Sequence, residues 1–249
     1  MLRKERQEQI LHILSAQKYV TVKYLTRVLD CSTATVNRDL NDMQMQGLIK
    51  RSYGGAEAIG PDKLPPLPVR QFYMQKEKRH NALEAAKLIE NGDTVFLDGS
   101  TTVQHILPFL LDKKDLTVVT NSMLLATELA ERGTRVICLG GMVVERPHVL
   151  GGDDAVLHAM RYHLDKMFFS VDAITLSGGI NGALLHTVLM KNSQQVYLLT
   201  DRAKITDTLP KTLFDFSALT GVISDFEFPA ETKAKFPNVR FICSTKEST

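Results

Sequence analysis

Three cysteines, none in a Cys-x-x-Cys pair, are all that 249 residues carry. That is too few and too scattered for a disulfide framework or a thiolate metal cluster. Cys138 and Cys243 fall in apolar runs that read as buried strands, so reduced thiols and a cytoplasmic setting are expected. No apolar run approaches the length needed to cross a bilayer, and Met1-Leu2-Arg3-Lys4 leads straight into an amphipathic helix. No membrane partner is expected. A Walker-type Gly-Lys-Ser/Thr is missing, and Gly178-Gly179-Ile180-Asn181-Gly182 lacks the dinucleotide glycine spacing. A nucleophile elbow for a Ser/His/Asp hydrolase is missing too. His158 and His163 lie five apart on a predicted helix, facing different sides, with no Cys beside them. The expectation is no metal, no cofactor and no catalytic residue. No internal repeat or low-complexity segment interrupts the chain.

What is present suits two domains, and a hydrophobic content of 44% is ample for a sizeable core. The first 58 residues read as a winged helix-turn-helix. Ile10, Ile13 and Leu14 make one apolar stripe; Val22, Leu25, Val28 and Leu29 make a second, with Thr21 as N-cap. A third helix opens at Ser32, whose hydroxyl suits an N-cap. Its Val36, Leu40 and Met43 face a core, while Ala34, Asn37, Arg38 and Asn41 face outward with Thr33 and Thr35 at the edges. Gly47 permits the left-handed residue that stops a helix. Leu48-Ile49-Lys50-Arg51 is strand-like, and Gly54-Gly55 allows a tight reversal. Helices followed by a basic hairpin predict a module that places its last helix in the major groove of double-stranded DNA. Ser32, Thr33, Thr35, Asn37 and Arg38 are the candidate contacts on that helix, with Lys50 and Arg51 on the wing. The alternative is a small helical oligomerisation domain with solvated arginines.

Charge divides the same way. Residues 1–56 carry nine Lys/Arg against five Asp/Glu, whereas the whole chain is +2, so the remainder is slightly acidic. A basic head on an acidic body fits a phosphate-binding module joined to something else. Between them, residues 59–77 read as a linker stiffened by Pro61, Pro65, Pro66 and Pro68, with Leu67, Val69, Phe72, Tyr73 and Met74 apolar enough to pack in part on the larger domain.

Residues 78–249 alternate helical and strand-like patterns. The apolar strands, near-continuous, predict a largely parallel sheet covered on both faces, an α/β domain. In such sheets ligands bind outside the carboxyl ends of the strands. Here those ends read Asp98-Gly99-Ser100-Thr101-Thr102, Thr120-Asn121-Ser122, Gly140-Gly141, Asp172 and Asp201-Arg202-Ala203-Lys204. Ser100, Thr101 and Thr102 offer donors to a phosphate and Lys204 can neutralise it, while Asp98, Asp172 and Asp201 can accept from sugar hydroxyls. Singly, each is a common cap or turn; together they outline a pocket.

Both halves resemble the DeoR family of bacterial sugar-metabolism regulators. At the N-terminus the resemblance runs from Ser32 through Thr33, Ala34, Thr35, Val36, Asn37, Arg38, Asp39 and Leu40, and resumes at Tyr53, Gly54, Gly55 and Ala56. The family usually has two arginines where this chain has Asn37-Arg38, and Asn can read adenine where Arg favours guanine. The C-terminal half is similar to the family's sensor domain, related to ribose-5-phosphate isomerases, through Asp98–Thr102, Thr120-Asn121-Ser122, Gly140-Gly141 and Asp201–Lys204. The resemblance implies a sugar-phosphate-isomerase-like sheet holding a phosphorylated sugar that controls DNA affinity, with Asp98, Ser100, Thr101, Thr102, Asn121, Asp172 and Lys204 around it. It implies a repressor of a sugar operon; and because a lone head with few phosphate contacts would bind weakly, a homo-oligomer, dimer or tetramer, is expected. The departure lies between Ser170 and Met190, where relatives carry a longer loop and a Glu before the next helix; here no acid occurs between Asp172 and Asp201.

The competing reading is a sugar-phosphate isomerase or transferase with an accessory nucleic-acid-binding head. Isomerisation needs a carboxylate base beside the substrate carbon. Related isomerases carry a second acid just after the position of Asp172, where this chain has Ala173-Ile174. A purely structural oligomer would leave both sets of motifs unexplained.

Overall fold

The computed structural model describes residues 2–17, 19–57, 70, 74–145, 148–209 and 211–245. The chain separates into two compact units, Met1–Gln75 and Lys76–Thr249. The prolines of the expected linker lie outside the described residues.

In the first unit, α1 (Arg3–Gln17), α2 (Val22–Val28) and α3 (Thr33–Met45) pack around a small core, and β2 (Lys50–Ser52) and β3 (Gly55–Glu57) form the wing. A strand of three residues, β1 (Tyr19–Thr21), pairs antiparallel with β3 and completes a three-stranded sheet. The double glycine has two separate causes. Gly54 turns the wing at a φ of +72°, which L side chains rarely adopt. At Gly55 a Cβ would stand 2.1 Å from the Val20 carbonyl oxygen, so only glycine lets β3 lie against β1.

Ile10, Leu14, Leu25, Val36, Leu40 and Met43 are fully buried, each adding about 1.5–3 kcal/mol of burial. Val28 departs from the expected stripe. It ends α2 and is about half exposed, while Leu29, the C-cap, takes the buried place. Thr21 and Ser32 cap α2 and α3 by accepting from Tyr24 N–H and Thr35 N–H, both at 3.1 Å. Gly47 follows α3 at a φ of +69°. A charge also sits in this unit's interior: Asp39 is only 1% exposed and accepts from Arg6 through both carboxylate oxygens. Arg3 lies 3.7 Å away.

The second unit is built on seven parallel strands. In chain order they are β4 (Thr94–Leu97), β5 (Thr117–Thr120), β6 (Arg135–Cys138), β9 (Leu164–Phe169), β11 (Ser193–Thr200), β13 (Gly221–Ser224) and β14 (Arg240–Cys243). In space they run β14-β13-β11-β9-β4-β5-β6. Alternate residues serve opposite faces, as the pleat requires. Val95 and Leu97 pack with Ala82 and Ala85 of α4 (Gln75–Lys87) and Leu125 of α6 (Met123–Glu131). Phe96 and Phe169 pack instead with Ala159 of α7 (Asp153–Ala159) and Leu189 of α8 (Leu184–Lys191). Between α6 and α7 stands a hairpin of β7 (Met142–Glu145) and β8 (Val149–Gly151); the short β10 (Gly179–Ile180) and β12 (Phe214–Asp215) pair separately. The helices α5 (Thr101–Gln104) and α9 (Ala230–Lys235) complete the unit.

The chain leaves β4 toward one edge through β5 and β6, then returns to build β9, β11, β13 and β14 on the other side. The direction reverses between β4 and β9, and the crevice for a ligand belongs outside the carboxyl ends of these strands.

Two expectations need correction here. Cys138 and Cys243 lie in strands but are exposed and half-buried, because β6 and β14 are the two edges of the sheet. His158 and His163 do not share a helix, since α7 stops at Ala159. His158 instead meets the Tyr162 hydroxyl at 3.0 Å.

Candidate functional site

On the winged unit, α3 presents Ser32, Thr33, Ala34, Arg38 and Asn41 to solvent, with Thr35 half-buried. The Ser32 hydroxyl is committed to its cap and to the Thr35 hydroxyl at 2.9 Å. Arg38 is exposed and has no hydrogen bond or ion pair among the described residues. Lys50 projects from the wing, 3.9 Å from Glu57.

Asn37 and Arg51 are arranged differently from the sequence expectation. The Asn37 amide donates to the Thr33 carbonyl at 3.0 Å, and its oxygen accepts from Arg51 at 2.9 Å. Both side chains are half-buried. The wing lies against the helix so that the two residues tie them together, with one amide N–H and one acceptor direction of Asn37 engaged in the tie. Arg51 still carries one guanidinium nitrogen without a partner among the described residues.

The second unit gathers its polar groups at the switch point. Asp98 follows β4 and is buried. Its Oδ1 accepts from the Ser100 N–H at 3.0 Å and the Ser100 hydroxyl at 2.5 Å; its Oδ2 accepts from the Ser170 N–H at 2.9 Å. Ser100 also caps α5 by accepting from Val103 N–H. The next two threonines each meet an ammonium. Lys78 donates to Thr101 Oγ1 and Lys204 to Thr102 Oγ1, both at 3.1 Å. Lys204 also donates to the Ser170 hydroxyl at 2.6 Å. Two cations, four hydroxyl residues and a carboxyl thus converge where β4, β9 and β11 end.

Two other expected residues, Asn121 and Asp201, hold the loops that carry this cluster. Asn121 spends its oxygen on the Gly99 N–H at 2.9 Å and its amide on the Leu150 carbonyl at 3.0 Å. Its part is to fix the Asp98–Thr102 turn. Asp201 is buried and accepts from Ala203 N–H, shaping the 3-10 turn Arg202–Lys204 that carries Lys204. Asp172 is exposed beyond β9.

Four contributors escaped the sequence reading. Lys78 and Asn81 come from one face of α4, and Asn81 joins the Thr200 carbonyl to the Ser244 hydroxyl, both at 2.6 Å. Ser170 follows β9. His186 comes from α8, with Nε2 3.7 Å from Asp98 Oδ2. Its only sequence signal was to be the lone imidazole in a stretch without acids.

Burial pushes the Asp98 carboxyl up to about 6, against the pull of its hydrogen bonds and of Lys204. Burial pushes the His186 imidazole down to about 4, with Asp172 opposing. The two act on stability with opposite signs. Asp98's raised value stabilises below its ordinary 3.8, and this is lost as pH rises through about 6. His186's lowered value stabilises above its ordinary 6.5, and this is lost as pH falls through about 4. Together they offset one another across the shared window. In His186→Gln only the Asp98 slope remains, so stability relative to wild type is expected to fall as pH rises from 4 to 6. Denaturant melts across that range check it; parallel pH profiles would refute it.

Comparison with known proteins agrees with this architecture. Residues 6–61 match the DeoR-like helix-turn-helix domain and residues 74–226 the DeoR C terminal sensor domain. The transcriptional regulator IolR of Bacillus subtilis (strain 168) is 31% identical over 88% of this chain and 89% of its own. The lactose phosphotransferase system repressor of Staphylococcus aureus (strain N315) is 28% identical over 91% and 94%. The glycerol-3-phosphate regulon repressor of Escherichia coli (strain K12) is 27% identical over 90% and 92%. Among solved structures, a ribose 5-phosphate isomerase from Methanocaldococcus jannaschii covers 55% of this chain and 56% of its own, with 14% identity and a TM-score of 0.42. That likeness is too distant to carry a function across. With both domain types in order along one chain and relatives matched over most of their length, the protein belongs to the DeoR family of DNA-binding transcriptional regulators.

Proposed function

We propose that this regulator is a cytoplasmic repressor of a sugar-metabolism operon, released or engaged by a phosphorylated sugar in the second unit. It binds its effector without consuming it. The observation that carries this reading is the pair of ammoniums, Lys78 and Lys204, set on adjacent threonines at the switch point beside Asp98. A phosphate dianion suits two cations and hydroxyl donors, and the neighbouring carboxyl suits a sugar's hydroxyls. Repression of sugar-linked operons by relatives points the same way. No described helix is long and apolar enough to cross a membrane.

Two DNA heads linked in a homo-oligomer would raise effective concentration on repeated half-sites, which a lone head with few phosphate contacts needs. Effector and operator must then alter each other's affinity by the same factor.

The test is a thermal-shift screen of the full chain against phosphorylated sugars, followed by operator binding with each hit. Lys204→Ala is expected to cost about 1.5–3 kcal/mol of effector affinity, the range for hydrogen bonds to charged groups. Operator binding without effector should persist. Catalytic turnover of a hit, or no response to any phosphorylated sugar, would overturn the proposal.

A further inference from the structure

The sugar-phosphate reading leaves open what holds the part of the ligand away from the phosphate. Here α8 brings a single half-buried imidazole, His186, beside Asp98. The His186 backbone N–H is used within its own turn, so the ring is the part that can meet a ligand. The ring packs on Phe169 at a centroid distance of 4.9 Å. Its Nδ1 accepts from the Ala183 N–H at 3.3 Å, while the His186 N–H returns a bond to the Ala183 carbonyl at 3.0 Å. An Nδ1 that accepts leaves the proton of the neutral imidazole on Nε2. Nε2, which carries that proton, lies 3.7 Å from Asp98 Oδ2.

That gap is too long for a direct hydrogen bond, yet a single oxygen can lie within bonding distance of both atoms. Asp98 Oδ2 has one protein donor, the Ser170 N–H, and keeps a second acceptor direction. A donor and an acceptor at this spacing, both positioned by their own backbones, match a hydroxyl, which accepts from one and donates to the other. Side-chain exposure of 12% for His186 and 5% for Asp98 leaves a narrow opening to them.

We infer that His186 is a specificity-determining residue that, with Asp98, reads one hydroxyl of the effector. This rests on the sugar-phosphate reading above. It predicts that affinity divides into a phosphate part, independent of His186, and a hydroxyl part that needs its Nε2–H.

The experiment titrates the full chain calorimetrically with inorganic phosphate, glycerol 3-phosphate, ribose 5-phosphate and fructose 6-phosphate. His186→Phe keeps a ring against Phe169 and removes the donor. It should leave inorganic phosphate affinity within about twofold and weaken the tightest sugar phosphate about tenfold or more, the worth of one buried hydrogen bond. His186→Gln, which restores an N–H at similar reach, should recover most of that loss. In the wild-type protein, imidazole nitrogen NMR should show the Nε2 resonance shifting with the sugar phosphate and not with inorganic phosphate, a readout that holds even if His186→Phe fails to fold. Equal loss for inorganic phosphate and sugar phosphates, or an Nε2 signal indifferent to the sugar, would overturn the inference alone. Failure of all four compounds to bind would overturn the parent reading with it.

Discussion

Asp39→Ala is expected to abolish operator binding by unfolding the first unit while leaving the melt of the second intact. Asp39 is 1% exposed and both its oxygens are taken by Arg6, whose own side chain is largely covered. That contact raises the Arg6 guanidinium further above its already high range. Breaking a buried ion pair by removing one member costs about 3–5 kcal/mol. A unit of this size holds only about 0.05–0.15 kcal/mol per residue. The loss is then comparable to the whole stability of the winged domain. Two-transition melts and operator binding on the same preparation check it. A variant that keeps the first transition and wild-type affinity would show that Asp39 does not hold α1 to α3.

Sequence periodicity was enough to locate α3, because Val36, Leu40 and Met43 repeat at helical spacing between two local signals, the Ser32 cap and Gly47. The strands around the pocket were equally legible, since each is an apolar run ended by a cluster of small polar residues. What escaped was whatever depends on contacts distant in the chain. β1 is three residues long, too short for any pattern, and it explains why Gly55 must be glycine. Lys78 sits in a charged stretch of α4 that reads as solvated surface, but its ammonium reaches Thr101, 23 residues on. Cys138 looked buried because strand order, which makes β6 an edge, is not written in the strand itself.

The pocket residues teach a related point. A carboxylate or carboxamide at a strand end has two uses, to meet a ligand or to hold the loop. Asn121 and Asp201 hold the loop, because backbone N–H groups of Gly99 and Ala203 lie within reach. Asp98 holds its loop too, but its oxygens have more acceptor directions than the neighbouring N–H and O–H groups fill. Residue type pointed to the strand ends, and hydrogen-bond geometry separates the roles within that cluster.

Arg38→Ala is expected to cost about 1–3 kcal/mol on the specific operator, the worth of a bidentate base contact, while sparing non-specific DNA binding. Asn37 is held by Thr33 and Arg51, and the Ser32 hydroxyl by its cap. Arg38 alone offers a long, exposed cation with no partner among the described residues on that face. Lys50→Ala should act differently, weakening all sequences alike and flattening the salt dependence, because a phosphate contact carries no base information. Arg51→Ala should lose more than a phosphate contact, since it also frees the wing from Asn37. Fluorescence anisotropy on operator and scrambled duplexes over a salt series separates the three. If the double variant Arg38→Ala/Arg51→Ala bound the operator as wild type does, α3 and its wing would not be the reading head.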